Sequence, residues 1–256
     1  TKITFDCVFN AIHGSPGEDG FMQAYFKLLN MPQTSCDMYQ AALTFNKRDC
    51  LSVLKPYGIK TAESFYVNLG DDIDEHAIVA KVGLPCFVKA NKAGSSFGVT
   101  KVHKIEDVKN AIAVAFKEDD EIIIESFLDG TEVSVGVINY KGETKVLPIT
   151  EIVSENDFFD YEAKYLGKSQ EITPARLTND EETKVTAIAK KVYEVLKMKG
   201  FSRSEYIFKS GEPHLLEVNT VPGLTLASIL PQQAAAAGIT LAALFDNAIE
   251  SALNPS

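Results

Sequence analysis

Two segments near the C-terminus constrain the fold more than any other part of the chain, because together they predict a β-hairpin. Residues 201–208 read FSRSEYIF and residues 213–219 read PHLLEVN, with the turn-forming stretch KSGE between them. Side chains along a strand alternate between two faces, so every second residue of each segment shares a face. A hairpin centred on Gly211 then fixes which residues lie opposite one another.

This pairing brings four polar side chains to one face of the hairpin. Glu205 is expected opposite Glu217, and Arg203 opposite Asn219. Like charges directly opposite on paired strands are destabilising, so two facing carboxylates indicate a bound cation. Carboxylate and amide oxygens favour Mg²⁺ or Mn²⁺ over zinc. The alternative, a solvated strand face, applies to either glutamate taken alone.

The composition is that of an ordinary soluble globular protein, long enough for one large domain or two to three small ones. The chain has 256 residues, of which 45% are hydrophobic and 23% charged. A net charge of -10 with scattered basic residues argues against a nucleic-acid partner. No apolar run is long enough for a membrane span. Four widely spaced cysteines without a CxxC pair favour a reduced, cytoplasmic protein.

A glycine-rich loop predicts phosphate binding in the first half of the chain. The loop GSSFG covers residues 94–98 and follows the apolar strand that carries Lys89. Glycine lets backbone amides approach phosphate oxygens closely. The loop lacks the Walker pattern, and a simple hairpin turn is the alternative. Lys89 itself could also be a strand lysine whose amino group reaches solvent.

Four motifs in chain order identify a family. They are HGSPGEDG at 13–20, GSSFG at 94–98, DYEAKY at 160–165 and EVNTVPGLT at 217–225. With them the chain closely resembles D-alanine:D-alanine ligases of the ATP-grasp superfamily over nearly its whole length. The resemblance implies an α/β protein with the α+β ATP-grasp fold, in which two subdomains clasp ATP.

The resemblance also implies a division into three parts. A partial Rossmann-like N-terminal domain would occupy residues 1–44, a central ATP-grasp subdomain 45–128, and a C-terminal subdomain with the metal and substrate site 129–256. The family's N-terminal strand, with a glutamate for the first D-alanine, has no counterpart in this sequence. We therefore expect the functional protein to extend upstream of Thr1.

The implied reaction is the joining of two D-alanines for peptidoglycan synthesis. ATP would phosphorylate the carboxylate of the first D-alanine, and the amine of the second would attack the acylphosphate. Such chemistry depends on positioning and charge neutralisation. The resemblance assigns lysines to the phosphates, the backbone of residues 125–128 to adenine and Glu132 to the ribose. These ATP-binding residues are Lys47, Lys89, Ser96, Glu125, Phe127, Leu128, Glu132 and Lys164.

The remaining assignments concern the metal ions, the oxyanion and the two amino acids. Two magnesium ions, or manganese, would lie at Glu205, Glu217 and Asn219. Arg203 and the amide of Gly223 would stabilise the oxyanion, and Ser95 and Tyr165 would belong to loops that close over the site. Substrate residues would be His13, Glu18, Ser228 and Ile229, of which Ser228 fixes the second carboxylate. The family usually has Asp where this chain has Glu205.

Three questions stay open at this level. The second substrate could be D-lactate or D-serine, although Tyr165 favours D-alanine. A non-catalytic ATP-binding remnant is the alternative from another functional class. A homodimer is possible through Phe21, Tyr25 and Phe26, but packing of these residues in the core explains them equally well.

Overall fold

The computed structural model describes residues 4–94, 98–154 and 169–254. Within these ranges the chain forms helices that surround two antiparallel sheets. The helices are α1 Phe21–Leu28, α2 Met38–Phe45, α3 Lys47–Leu54, α4 Glu75–Val82, α5 Val108–Ala115, α6 Asn179–Val195, α7 Ile229–Ala236 and α8 Leu241–Leu253. The strands are β1 Ser64–Asn68, β2 Cys86–Ala90, β3 Thr100–Val102, β4 Glu121–Ser126, β5 Glu132–Tyr140, β6 Glu143–Val146, β7 Thr150–Ser154, β8 Ser169–Ile172, β9 Phe201–Lys209 and β10 Glu212–Asn219.

The smaller sheet has four strands in the order β1-β4-β2-β3. Helices α4 and α5 pack on it and enclose an apolar core. Ile78 and Val82 of α4 and Ile112 of α5 meet Ile122 and Ile124 of β4 in this core. Alternate residues of β4 point to this face, as the period of a strand requires.

The larger sheet has the order β10-β9-β5-β7-β8, with β6 paired to β5. The central strand β5 serves two cores through its alternating side chains. Val133 and Val135 pack in the core with Val192 of α6. Ile138 packs in a separate core with Leu230 of α7. Helices on both faces therefore hold the sheet that carries the predicted metal hairpin.

The larger core draws residues from all three predicted parts of the chain. Cys36 and Ala41 come from residues 1–44, and Leu51 comes from α3. They pack with residues of α6 and of the large sheet. The division into three domains stays a prediction.

The start of α6 follows its local sequence. The side chain of Thr178 accepts from the amide of Glu181, and the Glu181 carboxylate accepts from the amide of Thr178. This reciprocal capping box satisfies two amides that the helix cannot pair internally. Three acidic residues in the first turn also stabilise the helix, because their negative charges lie at the positive end of its dipole.

The β9–β10 hairpin has the predicted pairing, but not by the predicted route. Its tight turn at Ser210 and Gly211 has positive φ at both residues, as a type I′ turn requires. This turn alone would place Glu217 opposite Ser204. A register shift between Leu215 and Glu217 moves the pairing by one residue.

The bulge brings the four polar residues of the hairpin into the predicted pairs. Glu217 lies opposite Glu205, and Asn219 lies opposite Arg203. A one-residue shift also moves side chains to the other face of a strand. The buried positions accordingly change from Leu215 to Val218 across the bulge. The predicted pairing of the hairpin is confirmed.

Two surface features bear on partners. Phe21 and Tyr25 are 70% and 55% exposed, and Phe26 is half-buried. The homodimer stays a prediction.

In the part of the chain that the structure describes, no single helix has the length and apolarity to cross a membrane. The pair α7 and α8 reaches that composition together, with a bend of 103° between them.

Candidate functional site

A cleft of about 710 Å³ lies beside the β9–β10 hairpin. Its walls come from the N-terminal loop, the start of α3, the glycine loop and the segment that links β10 to α7. These parts of the chain are far apart in sequence. The predicted site residues that line the cleft are His13, Glu18, Lys47, Arg203, Glu217, Asn219, Gly223, Ser228 and Ile229.

Arg203 is held by two side chains at the base of this cleft. Its Nη1 donates to Glu205 Oε1 at 2.5 Å and to Ser134 Oγ at 3.1 Å. Burial by itself would lower the pKa of Arg203, but the carboxylates of Glu205 and Glu217 outweigh it, and the pKa is raised. The guanidinium therefore stays charged and has a fixed orientation.

The predicted cation ligands share the oxygen chemistry that a hard cation prefers. Glu205, Glu217 and Asn219 supply two carboxylates and an amide from neighbouring strands. Glu217 and Asn219 line the cleft, while Glu205 is 4% exposed and pairs with Arg203. Among the described residues, no three His, Cys, Asp or Glu side chains form a metal-binding group. The donor set fits Mg²⁺ only if the Asn219 amide takes part.

Lys47 connects the hairpin with Ala93, the residue before the glycine loop. It is the first residue of α3, and the Asn46 side chain caps this helix by accepting from the amide of Asp49. Lys47 Nζ donates to the carbonyl of Ala93 at 2.7 Å and lies 3.4 Å from Glu217 Oε2. A phosphate placed here would meet a cation between the loop and the predicted metal ligands.

Lys89 lies on the smaller sheet and pairs with Glu125. Its Nζ is 2.7 Å from Glu125 Oε2 on the adjacent strand, and Glu125 is 3% exposed. Burial would lower the pKa of Lys89, but Glu125 outweighs it, with smaller contributions from Glu217 and Glu132, and the pKa is raised. Glu125 Oε1 is buried without a hydrogen-bond partner in the described structure. A ligand with a donor group would satisfy it.

The predicted adenine segment is partly committed to the protein. The backbone amide of Ser126 donates to the carbonyl of Glu63 at 2.9 Å, and the backbone amide of Phe127 donates to the carbonyl of Pro85 at 3.3 Å. An adenine must therefore use other backbone groups of the segment. Lys101 Nζ lies 4.5 Å from the centroid of the Phe127 ring. Leu128 is buried, and Glu132 is the first residue of β5.

The N-terminal loop contacts the segment after β10 directly. His13 Nδ1 lies 2.7 Å from the carbonyl oxygen of Val221, a separation of 208 residues in sequence. Glu18 accepts from the amide of Gly14 at 2.6 Å. Burial raises the pKa of the Glu18 carboxyl, and bonds from Gly14 and Val221 oppose the rise. These contacts join the predicted substrate residues to the turn that carries Gly223.

Gly223 and Ser228 fit closely together. A Cβ added to Gly223 would lie 2.7 Å from Ser228 Oγ, so only glycine fits without displacing the serine. Ser228 Oγ in turn accepts from the amide of Thr225 at 3.2 Å. Ile229 is buried and packs against Ile152. The turn therefore presents its backbone and the Ser228 hydroxyl to the cleft.

Four predicted residues lie outside the described ranges. They are Ser95 and Ser96 of the glycine loop, and Lys164 and Tyr165 of the DYEAKY motif. Their proposed roles stay predictions. The described neighbours Ala93 and Gly94 line the cleft, so the glycine loop begins at its edge.

Two residues at the site were missed from the sequence. Ser134 holds Arg203 from β5, and Glu171 lines the cleft from β8. Neither belongs to a motif, and each lies on a strand far from the hairpin in sequence. Burial raises the pKa of Glu171, although Arg203 opposes the rise. Strand alternation within β5 could predict the face on which Ser134 lies, but not its contact with Arg203.

Comparison with protein families gives a direct match. The family model described as D-ala D-ala ligase C-terminus matches residues 53–250. A D-alanine–D-alanine ligase of Flavobacterium johnsoniae is 73% identical over 252 residues, which cover 98% of this chain and 78% of that relative.

Solved structures show the same relation. The D-alanine–D-alanine ligase from Bacillus anthracis complexed with ATP has a TM-score of 0.84 and 28% identity, over 97% of this chain and 79% of that one. The VanG D-Ala:D-Ser ligase from Enterococcus faecalis has a TM-score of 0.85 and 33% identity, over 97% and 73%. The predicted ATP-grasp fold and the class of ATP-dependent ligase are confirmed, and this chain belongs to the D-alanine–D-alanine ligase family.

Proposed function

We propose that this protein joins two D-alanines into D-alanyl-D-alanine in the cytoplasm, for peptidoglycan synthesis, and converts ATP to ADP and phosphate. The observation that carries the proposal is that Lys47, Arg203, Gly223 and Ser228 line the same cleft. The family relation supports the same reaction.

The cations of the protein suit the phosphate side of this reaction. Lys47 lies between the glycine loop and Glu217, and Lys89 is held in a charged state by Glu125. We assign both lysines to the phosphates of ATP. Bound Mg²⁺ or Mn²⁺ would neutralise further phosphate charge, and Glu205, Glu217 and Asn219 would hold it.

Arg203 and Gly223 suit the oxyanion. Arg203 is oriented by hydrogen bonds to Ser134 and Glu205. Donors that are already oriented cost no reorganisation when charge develops, which is why they stabilise transition states strongly. A planar guanidinium also offers two parallel donors, which a lysine does not. Ser228, in contact with Gly223, would then hold the carboxylate of the second amino acid.

D-serine is the second candidate for the second substrate. The specific support is the structural match to the VanG D-Ala:D-Ser ligase. D-lactate remains the other alternative, and Tyr165, which favours D-alanine, lies outside the described residues.

A coupled assay for ADP tests the proposal. The protein is incubated with ATP, Mg²⁺ and D-alanine alone, and then with D-serine or D-lactate added. We expect D-alanine alone to produce ADP, and mass spectrometry to detect the D-alanyl-D-alanine dipeptide. ATP binding without D-alanine-dependent formation of ADP would contradict a catalytic function. If ADP formed only after D-serine or D-lactate was added, that compound, and not D-alanine, would be the second substrate.

A further inference from the structure

Glu171 is a carboxylate in the cleft to which the proposed roles assign nothing. It lies on β8 directly opposite Ile152 of β7, so both side chains point to the same face of the sheet. Ile152 packs against Ile229 at the start of α7. Glu171 therefore faces the end of the cleft where Ser228 and Ile229 lie.

A hydrogen bond supports this placement. Glu171 Oε2 accepts from Gln232 Nε2 at 3.4 Å, and the same nitrogen donates to the carbonyl of Ala227 at 2.8 Å. The backbone amide of Gln232 donates to the carbonyl of Ser228 at 3.2 Å. The side chain of Gln232 thus links the Glu171 carboxylate to the segment at Ser228, which is proposed to bind the carboxylate of the second amino acid.

The bond to Gln232 does not by itself explain a charged group in this position. At 3.4 Å it is longer than a strong hydrogen bond, and its donor is neutral. Arg203 lies near enough to favour the charged form of Glu171, but it bonds to Glu205 and Ser134. Because this carboxylate is half-buried, a cationic group that donates to it would make a charge-assisted hydrogen bond.

We propose that Glu171 binds the amino group of the second amino acid. This inference rests on the proposed function, because it uses the amino acid whose carboxylate Ser228 holds. Glu171 lines the same cleft as Ser228, Arg203 and Gly223. The ammonium form of the substrate donates up to three charge-assisted hydrogen bonds, and it loses one proton to the Glu171 carboxylate before the neutral amine attacks the acylphosphate. The hydroxyl of a 2-hydroxy acid donates one neutral bond. Glu171 therefore selects an amine over a hydroxyl at the second site.

The variant Glu171→Gln tests this role. Glutamine keeps the shape and an oxygen that can accept from Gln232, but it removes the charge. In the proposed reaction D-alanine binds at two sites, so its concentration dependence yields two apparent KM values. The weaker KM is assigned to the second amino acid, and competition by D-lactate checks this assignment. We expect the weaker KM to rise about tenfold to a hundredfold, since a hydrogen bond to a charged group contributes about 1.5–3 kcal/mol. The stronger KM and the KM for ATP should stay within about twofold.

A matched control lies on the same pair of strands. Glu151 precedes Ile152 on β7, points to the opposite face and bonds to Arg176 at 2.8 Å and 2.7 Å. Glu151→Gln should leave both KM values for D-alanine unchanged. Glu171→Asp, which keeps the charge, should restore part of the loss.

A second readout is the competition between two nucleophiles. With D-alanine and D-lactate together, the ratio of dipeptide to depsipeptide should fall at least about tenfold in Glu171→Gln. An unchanged weaker KM, or a loss of thermal stability with all constants changed together, would overturn this assignment but not the ligase reaction. An unmodified protein without D-alanine-dependent ADP would overturn both.

Discussion

Two buried ion pairs, one on each sheet, show how the same chemistry is used in different ways. Lys89 and Glu125 form a cross-strand pair on the smaller sheet, with one cation for one close carboxylate. On the larger sheet, Arg203 contacts Glu205 and also lies in the field of Glu217 and Glu171. The first pair is balanced in charge, and the second region has excess negative charge around its arginine.

The difference indicates where additional cations belong. A balanced buried pair offers little electrostatic attraction for a further cation, and loss of either partner leaves a buried charge without its counterion. Three carboxylates around one guanidinium attract positive charge, which suits a metal ion at Glu205 and Glu217 and an ammonium group at Glu171. Lys47, 3.4 Å from Glu217, supplies part of this charge from the protein itself.

Breaking the balanced pair should produce the largest effect on stability. Lys89→Met leaves the carboxylate of Glu125 buried without its cation. We expect the free energy of unfolding to fall by about 3 kcal/mol in urea denaturation, as for other buried pairs that lose one partner. The double variant Lys89→Met with Glu125→Gln should recover most of the loss. Lys81→Met, at an exposed position of α4, should change stability by less than about 0.5 kcal/mol. An equal loss in the single and double variants would contradict the balanced pair.

Substitution of the arginine in the acidic region should affect turnover more than stability. Arg203→Lys keeps the positive charge but loses the planar guanidinium, whose Nη1 reaches both Ser134 and Glu205. We expect kcat to fall about 100-fold, the cost of removing one oriented oxyanion donor, and the melting temperature to change little. Arg48→Lys is the control, because Arg48 also bonds to a neutral side-chain oxygen, that of Asn68. A kcat within about threefold of the original would refute the oxyanion role.

The smallest effect concerns pH at the rim of the acidic region. Burial raises the pKa of Glu18 above 4.5, so the folded protein holds this proton more tightly than the unfolded chain does. The stability that Glu18 contributes is complete below pH 4.5 and is lost as pH rises through its folded pKa. Unfolding in urea from about pH 4 to about pH 8 should show this fall, and Glu18→Gln should reduce it. The exposed control Glu63→Gln should keep the slope of the unmodified protein.

Much of the local structure could be predicted from the sequence, because its causes are local. The capping box of α6 depends on Thr178 and Glu181, three residues apart. The type I′ turn depends on Ser210 and Gly211. The bulge that follows Leu215 has no such signature, yet it restores the pairing of Glu217 with Glu205. The predicted pairing was correct although the assumed turn was wrong.

The candidate site was predictable to the extent that motifs mark it. Motif residues such as His13, Glu217 and Gly223 do line one cleft. Glu171 and Ser134 could not be found in this way, since neither belongs to a motif and each is only one of several polar residues on its strand. Their importance depends on which strand lies beside which, and that order is a property of the whole sheet.

The sequence by itself determined the family, the alternation of the hairpin and the residue types available for phosphate, oxyanion and cation. Only the tertiary structure decided which of these groups meet. The contact of His13 with Val221 spans 208 residues, and Glu171 reaches the cleft through the order of strands in the larger sheet. Local periodicity fixes the face on which a side chain lies, whereas packing of distant segments fixes what that face contacts.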